Sequence, residues 1–225
     1  MAGRFDALWF DAGGVLVLPD PTVLAPLLAY YGGATELNCH RRAHYAAMAV
    51  KSAQGAQEVD WREYDRAYVR AVGVDGDDVE EAAAVLGQTR HAPLWRWAVP
   101  ESLAALRTLA ERRVPMGVVS NASGQIESVL RRTGVCQVGP GAGVAVRCVV
   151  DSHVVGVAKP DPRIFDHAAV HFPELERSRI AYIGDSVTMD VGGATAAGLH
   201  PLLLDPYDDH AGAAFERIGS LSELT

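Results

Sequence analysis

The sequence predicts an α/β fold, a doubly wound parallel sheet with an all-helical subdomain inserted after the first strand. Three observations predict it. From residue 99 onward, short apolar runs alternate with segments carrying apolar residues at helical spacing, the pattern of strands joined by crossover helices. Three apolar runs, one at 7–10 and two in this later part, end at or beside a polar residue, at Asp11, Ser120 and Asp185. Residues 18–98 break the alternation, with helical patterns and no convincing strand.

Each element has its own justification. Residues 7–10 are a short apolar strand that ends at Asp11. Helical patterns follow at 21–31, 36–54, 61–72 and 79–88. Residues 101–112 place Leu103, Leu106 and Leu109 at helical spacing, and 116–119 form the next strand, ending at Ser120. In 125–132, Ile126, Val129 and Leu130 share one helical face. Residues 144–150 read as a strand and 163–170 as a helix after a proline-rich loop. A strand at 180–183, a small-residue helix at 190–197 ended by Gly198 and a last core strand at 201–204 complete the chain. Residues 1–17 and 99–225 are therefore expected to form the core, and 18–98 a cap. In such sheets ligands bind beyond the carboxyl ends of the strands, so one crevice can collect Asp11, Ser120 and Asp185. A cap above it would exclude water and choose the substrate.

Composition narrows the function. A chain of 225 residues has room for one sizeable core with an inserted subdomain. A net charge of −8 disfavours nucleic acid and anionic membrane surfaces. No apolar stretch approaches the length of a bilayer span, and the start of the chain lacks a signal-peptide pattern. Cys39, Cys136 and Cys148 have no metal-finger spacing and read as reduced thiols in a cytoplasmic protein. Among 20 basic residues only Lys51 and Lys159 are lysines, which makes a lysine at a chemically meaningful position easy to notice.

The strand-end residues suit attack on a phosphate ester. Asp11, followed by Ala12-Gly13-Gly14, is an approachable carboxylate that can attack phosphorus. Gly13 and Gly14 allow close backbone approach and positive φ. Ser120 and Asn121 can hold a phosphoryl oxygen through the hydroxyl and nearby N–H groups, or cap the helix that follows. Lys159, in Lys159-Pro160-Asp161-Pro162, sits in an extended loop and can neutralise the transferring group. Asp185 and Asp190 frame the segment Gly184-Asp185-Ser186-Val187-Thr188-Met189-Asp190, and paired carboxylates suit Mg2+. Asp190 serves the metal through water or by orienting the shell, or caps the following helix.

In this order the four motifs resemble those of the haloacid dehalogenase-like hydrolase superfamily, which is mostly magnesium-dependent phosphatases. The resemblance covers essentially the whole chain. It implies Asp11 as nucleophile, and Ser120 and Lys159 as catalytic groups that also bind substrate with Gly14 and Asn121. It assigns Mg2+ to Asp11, the Gly13 carbonyl, Asp185 and Asp190, and implies a small phosphorylated substrate.

One position departs from the pattern. Superfamily phosphatases usually carry a second aspartate two positions after the nucleophile, to protonate the leaving group and then activate water. Here that position is Gly13, and loss of such acid–base help costs about 10²–10⁴-fold in rate. Three alternatives follow. A phosphatase could use a good leaving group or take a proton from Asp20, Tyr31, His40 or His44, each expected to be structural or solvated. A phosphonoacetaldehyde hydrolase-like enzyme would use Lys51, the one lysine of the insertion, as a Schiff base, although Lys51 reads as a surface helix residue. Within the same second alternative, haloacid dehalogenation shares the nucleophile but needs no magnesium, and the acidic pair argues against it. A catalytically degenerate binding protein is the non-enzymatic alternative. Trp61, Trp95 and Trp97 are expected to pack the interior or to line the pocket, packing being the first expectation.

Overall fold

The computed structural model describes residues 4–55 and 60–225. Its first strand, β1 (Ala7–Phe10), is buried along its whole length. Leu8 and Phe10 join an apolar cluster with Leu106, Leu109, Ile126 and Leu130, whereas Ala7 and Trp9 join another with Ile164, Phe165 and Ala168. The alternation of side chains along a strand thus feeds two helical layers, one on each face of the sheet.

The chain then leaves the sheet. A short strand β2 (Val17–Pro19) leads into α1 (Pro21–Ala29), α2 (Leu37–Ala53), α3 (Arg62–Ala71) and α4 (Asp78–Thr89), and β3 (Trp95–Ala98) returns. β2 and β3 pair antiparallel, which corrects the expectation that 18–98 contains no strand. These strands are too short to show a period of two, and Pro19 disguises one of them. Asp20 caps α1 by accepting from the Thr22 N–H and holds Arg96 of β3 at 2.8 Å. The four helices enclose an apolar cluster of their own, including Leu24, Leu28, Tyr64, Tyr68 and Leu86.

The remaining elements are α5 (Pro100–Glu111), β4 (Met116–Ser120), α6 (Ile126–Arg132), β5 (Cys136–Val138), β6 (Val144–Val146), β7 (Val149–Asp151), α7 (Ser152–Val155), α8 (Arg163–Ala169), β8 (Ile180–Gly184), α9 (Gly193–Ala196), β9 (His200–Leu204) and β10 (Arg217–Ile218). The main sheet is ordered β10-β9-β8-β1-β4-β7, with every neighbouring pair parallel. The segment expected as one strand at 144–150 is split. β6 pairs with β5 in a small side sheet, and β7 joins the main sheet edge. The break falls at exposed Arg147, whose N–H bonds to the Met116 carbonyl. β10 adds a strand beyond 201–204, and its two residues are too few to announce themselves. The helix expected at 190–197 begins earlier, as a π-helical turn from Val187 to Gly192 before α9, a local form often found at functional sites. All three cysteines are free. Among the described residues no helix is long and apolar enough to cross a membrane.

Candidate active site

The carboxyl ends of β1, β4 and β8 bring Asp11, Ser120 and Asp185 to one edge of the sheet, where they line one pocket with Lys159 and Asp190. The pocket, about 230 Å3 in volume, is roofed by Met48, Lys51, Trp61, Arg90 and Trp95 from the inserted segment.

Asp11 is fixed at both ends. Its N–H bonds to the Ile183 carbonyl, and its Oδ1 accepts from the Ala12 N–H at 2.7 Å. Its Oδ2 lies 2.9 Å from the Lys159 ammonium. Burial, opposed by Lys159 and reinforced by Asp190 and Asp185, pushes the Asp11 carboxyl up to about 7. The Lys159 Nζ also reaches Asp190 Oδ1 at 2.7 Å and the Tyr182 hydroxyl at 2.9 Å. Burial works against its charge, but attraction to Asp11 and Asp190 outweighs that and holds the ammonium above its ordinary pKa.

Asp190 is fully engaged within the chain. Its Oδ2 accepts from the N–H groups of Asp185 and Ser186 at 3.1 and 2.9 Å, while Oδ1 takes Lys159. Gly184 makes this possible, because a Cβ there would sit 2.1 Å from Asp190 Cγ. Asp11, Asp185 and Asp190 offer carboxylate oxygens that all lie within 4.8 Å of one another. Three buried carboxylates against one ammonium leave an excess of negative charge, and the donors are all hard oxygens. Such a set has the hard oxygen donors and the charge that a divalent cation such as Mg2+ requires.

The other expected residues are distributed unevenly. Ser120 and Asn121 line the pocket, but the Asn121 side chain also clasps the Lys159 backbone, donating to its carbonyl at 3.0 Å and accepting from its N–H at 2.8 Å. Gly13 lines the pocket, whereas Gly14 stands behind it. The Gly14 N–H bonds to the Val17 carbonyl, so it is not aimed at a substrate. Gly14 has φ +73°, and a Cβ there would fall 1.9 Å from Asp185 Oδ2. Its job is therefore to make room for Asp185.

The four proposed proton sources do not line the pocket. Asp20 is the α1 cap, and Tyr31 bonds Glu81 at the surface. His40 is held between the Tyr68 hydroxyl and the Ala34 carbonyl. His44 meets Asp185 and the Tyr64 hydroxyl. The space above Gly13 belongs to Trp95, whose ring would be 3.2 Å from a Cβ at that position.

One expectation about the insertion is corrected, and one choice between alternatives is decided. Lys51 is not a surface residue: it is 3% exposed, lines the pocket and lies 3.5 Å from the Trp61 ring centroid. Trp61 and Trp95 line the pocket, while Trp97 does not. The signal for Lys51 was present in α2, where His40, His44, Ala47, Met48 and Lys51 recur at helical spacing along one buried face.

A parallel α/β sheet that gathers an aspartate, a serine, a lysine and an acidic pair in one pocket at its edge defines a hydrolase core with a carboxylate at its centre. A family model described as haloacid dehalogenase-like hydrolase matches residues 5–198, and the chain belongs to that family. Curated relatives include haloacid dehalogenase-like hydrolase domain-containing protein 3 of Bos taurus, 38% identical over 116 residues, which are 50% of this chain and 43% of that protein. Phosphoserine phosphatase of Thermus thermophilus is 31% identical over 151 residues, 64% of this chain and 55% of that protein. The chain spans about half the length of such relatives. Among solved structures, a HAD phosphatase from Thermococcus onnurineus superposes with a TM-score of 0.58 at 19% identity, covering 97% of this chain and 95% of the other. A HAD-hydrolase, YfnB from Bacillus subtilis, bound to magnesium, gives 0.56 at 17% identity, covering 98% and 97%. At these identities the likeness is one of fold.

Proposed function

We propose that the protein is a Mg2+-dependent hydrolase of small phosphate esters that works through an aspartyl-phosphate on Asp11. The observation that carries this reading is the Asp11 carboxylate, 2.9 Å from the Lys159 ammonium and grouped with Asp185 and Asp190 at the floor of the pocket. Relatives named as a phosphoserine phosphatase and as a pyrimidine 5'-nucleotidase, YjjG of Escherichia coli, support it.

The residues divide the work as follows. Asp11 attacks phosphorus, forms the acyl phosphate bond and displaces the leaving oxygen. Lys159 and the Ser120 hydroxyl bind and orient the phosphoryl oxygens. Asn121 holds the Lys159 backbone in place. Bound between Asp11, the Gly13 carbonyl and Asp185, Mg2+ would offset the repulsion between the anionic nucleophile and its anionic substrate. Water then cleaves the aspartyl-phosphate, releasing phosphate and regenerating the carboxylate. Residues 18–98 act as the cap over a core of 1–17 and 99–225, excluding bulk water from the acyl phosphate. With glycine at position 13 and Trp95 over it, no side chain there donates a proton. The preferred substrates are therefore those whose leaving group departs readily as an anion, such as acyl phosphates.

The test is phosphate release from a panel of phosphomonoesters and acyl phosphates, with Mg2+ and with chelator, beside Asp11→Asn. Release that needs the cation and is lost in Asp11→Asn supports the reading. Release that Asp11→Asn retains would overturn it, and no release from any substrate would favour a binding protein.

A specific observation favours a second reading. Lys51 is buried in the same pocket as Asp11, where an uncharged amine could condense with the carbonyl of phosphonoacetaldehyde and lose water. Attack of Asp11 on phosphorus would then break the carbon–phosphorus bond and leave the electron pair on the imine as an enamine. Borohydride reduction in the presence of phosphonoacetaldehyde would fix such an adduct on Lys51. An unlabelled Lys51 would discard this reading.

A further inference from the structure

The insertion touches the floor of the site as well as roofing it. His44 and Tyr45, consecutive residues of α2, are 1% and 4% exposed. The His44 Nε2 lies 2.9 Å from Asp185 Oδ2, and its Nδ1 lies 2.8 Å from the Tyr64 hydroxyl of α3. A carboxylate only accepts hydrogen bonds, so the proton between the first pair belongs to Nε2. In the neutral imidazole Nδ1 is then the acceptor for Tyr64 O–H. The Tyr45 hydroxyl donates to the Gly14 carbonyl at 2.7 Å. One helix thus grips the acidic residue after β8 and the loop after β1 that carries Asp11 and Gly13. The grip is reinforced nearby, where Arg42 forms a two-pronged pair with Asp209 at 2.7 and 2.6 Å.

We infer that His44 and Tyr45 are positioning residues for the cation site: docking of α2 onto the core sets the orientation of Asp185 and of the Asp11–Gly14 loop, so cation affinity depends on the insertion. The inference rests on the reading of Asp11 and Asp185 as Mg2+ ligands. Partners that orient metal ligands from behind are typically worth about 10–100-fold in metal affinity. His44 engages Asp185 through a single N–H, a contact that an amide side chain can imitate and a phenyl ring cannot. Because coupling is reciprocal, a bound cation should also tighten α2 against the core.

The test is calorimetric titration of Mg2+ into chelator-treated wild-type protein, His44→Phe, His44→Gln and Tyr45→Phe, with circular dichroism to confirm folding. His44→Phe is expected to bind Mg2+ about 10–100-fold more weakly, with part of the loss recovered in His44→Gln. Tyr45→Phe, which removes one hydroxyl and keeps the ring, should lose less and remain folded, so it keeps the test alive if His44→Phe unfolds. Wild-type affinity in both phenylalanine variants would overturn the inference. Tighter binding in His44→Phe would overturn it too, because the imidazole would then be a competitor of the cation. A wild-type protein that binds no divalent cation would instead remove the metal reading, and the inference with it.

Discussion

The floor and the roof of the pocket surround their two lysines with different groups. Lys159, on the floor, is buried between Asp11 and Asp190, and the carboxylates outweigh the cost of burying its charge. Lys51, on the roof, is equally buried but lies against the face of Trp61, with the Arg90 guanidinium 4.4 Å from the same ring. The floor is an electrostatic lattice whose members depend on one another's charges. The roof is an aromatic and cationic wall on helices, shaped by packing. In the proposed function the first kind of site carries the reaction, and the second selects what enters.

The largest expected effect is on the floor. Asp11→Asn should reduce phosphate release by at least about 10⁴-fold, as loss of a covalent nucleophile does, while Lys51→Met should alter substrate preference and leave acyl phosphate turnover measurable. Both are read from steady-state rates on the same panel, and equal losses would erase the distinction between floor and roof.

Next comes Lys159→Met, which leaves Asp11 and Asp190 buried without their ammonium. Removing one partner of such a group costs about 3–5 kcal/mol, and urea unfolding of the cation-free protein will show it. The same lattice imposes a pH dependence. The folded Asp11 carboxyl, pushed up to about 7, lies above its unfolded value near ~3.9. Its proton therefore favours the fold at low pH, and that contribution is lost as pH rises between those two values. Without cation, the stability of Asp11→Asn relative to wild type should accordingly increase from pH 4 to pH 7. A flat difference across thermal melts would contradict the charge balance described for the floor.

Smaller effects belong to the seam between floor and roof. Gly13→Asp, which would supply the customary acid, must displace the Trp95 ring from 3.2 Å and should cost about 1–3 kcal/mol by overpacking. Melting temperatures of Gly13→Asp, with and without Trp95→Ala, test whether relieving the ring relieves the cost. Arg42→Ala, which breaks a half-exposed pair with Asp209, should cost only about 0.2–1 kcal/mol in the same assay.

The floor was largely legible in the sequence because Asp11, Ser120 and Asp185 sit at the ends of buried strands and Lys159 sits in a proline-marked loop. Asp11 comes after Ala7–Phe10, Ser120 ends Met116–Ser120 and Asp185 follows Ile180–Gly184. A strand end needs only a short apolar run to be seen, and parallel pairing then puts all such ends on one edge. The roof was less legible, because a helix shows its stripe clearly only when the stripe is apolar. α2 buries His40, His44 and Lys51 on the face that also buries Ala43, Ala47 and Met48, and single polar residues among alanines look like surface. Gly14 illustrates a finer limit. Its glycine was visible, but its reason, the Asp185 oxygen that a Cβ would strike, lies far away along the chain. β2, β3 and β10 escaped because two to four residues carry no readable period.

The central claim is that Asp11 becomes covalently phosphorylated. It is tested most directly by mixing the protein with Mg2+ and an acyl phosphate, quenching in acid within the first turnovers, and locating the modification by peptide mass spectrometry. One phosphoryl group on Asp11 is expected, absent from Asp11→Asn and from chelated samples. Turnover without any phosphorylated Asp11, or with the phosphoryl group on another residue, would contradict it.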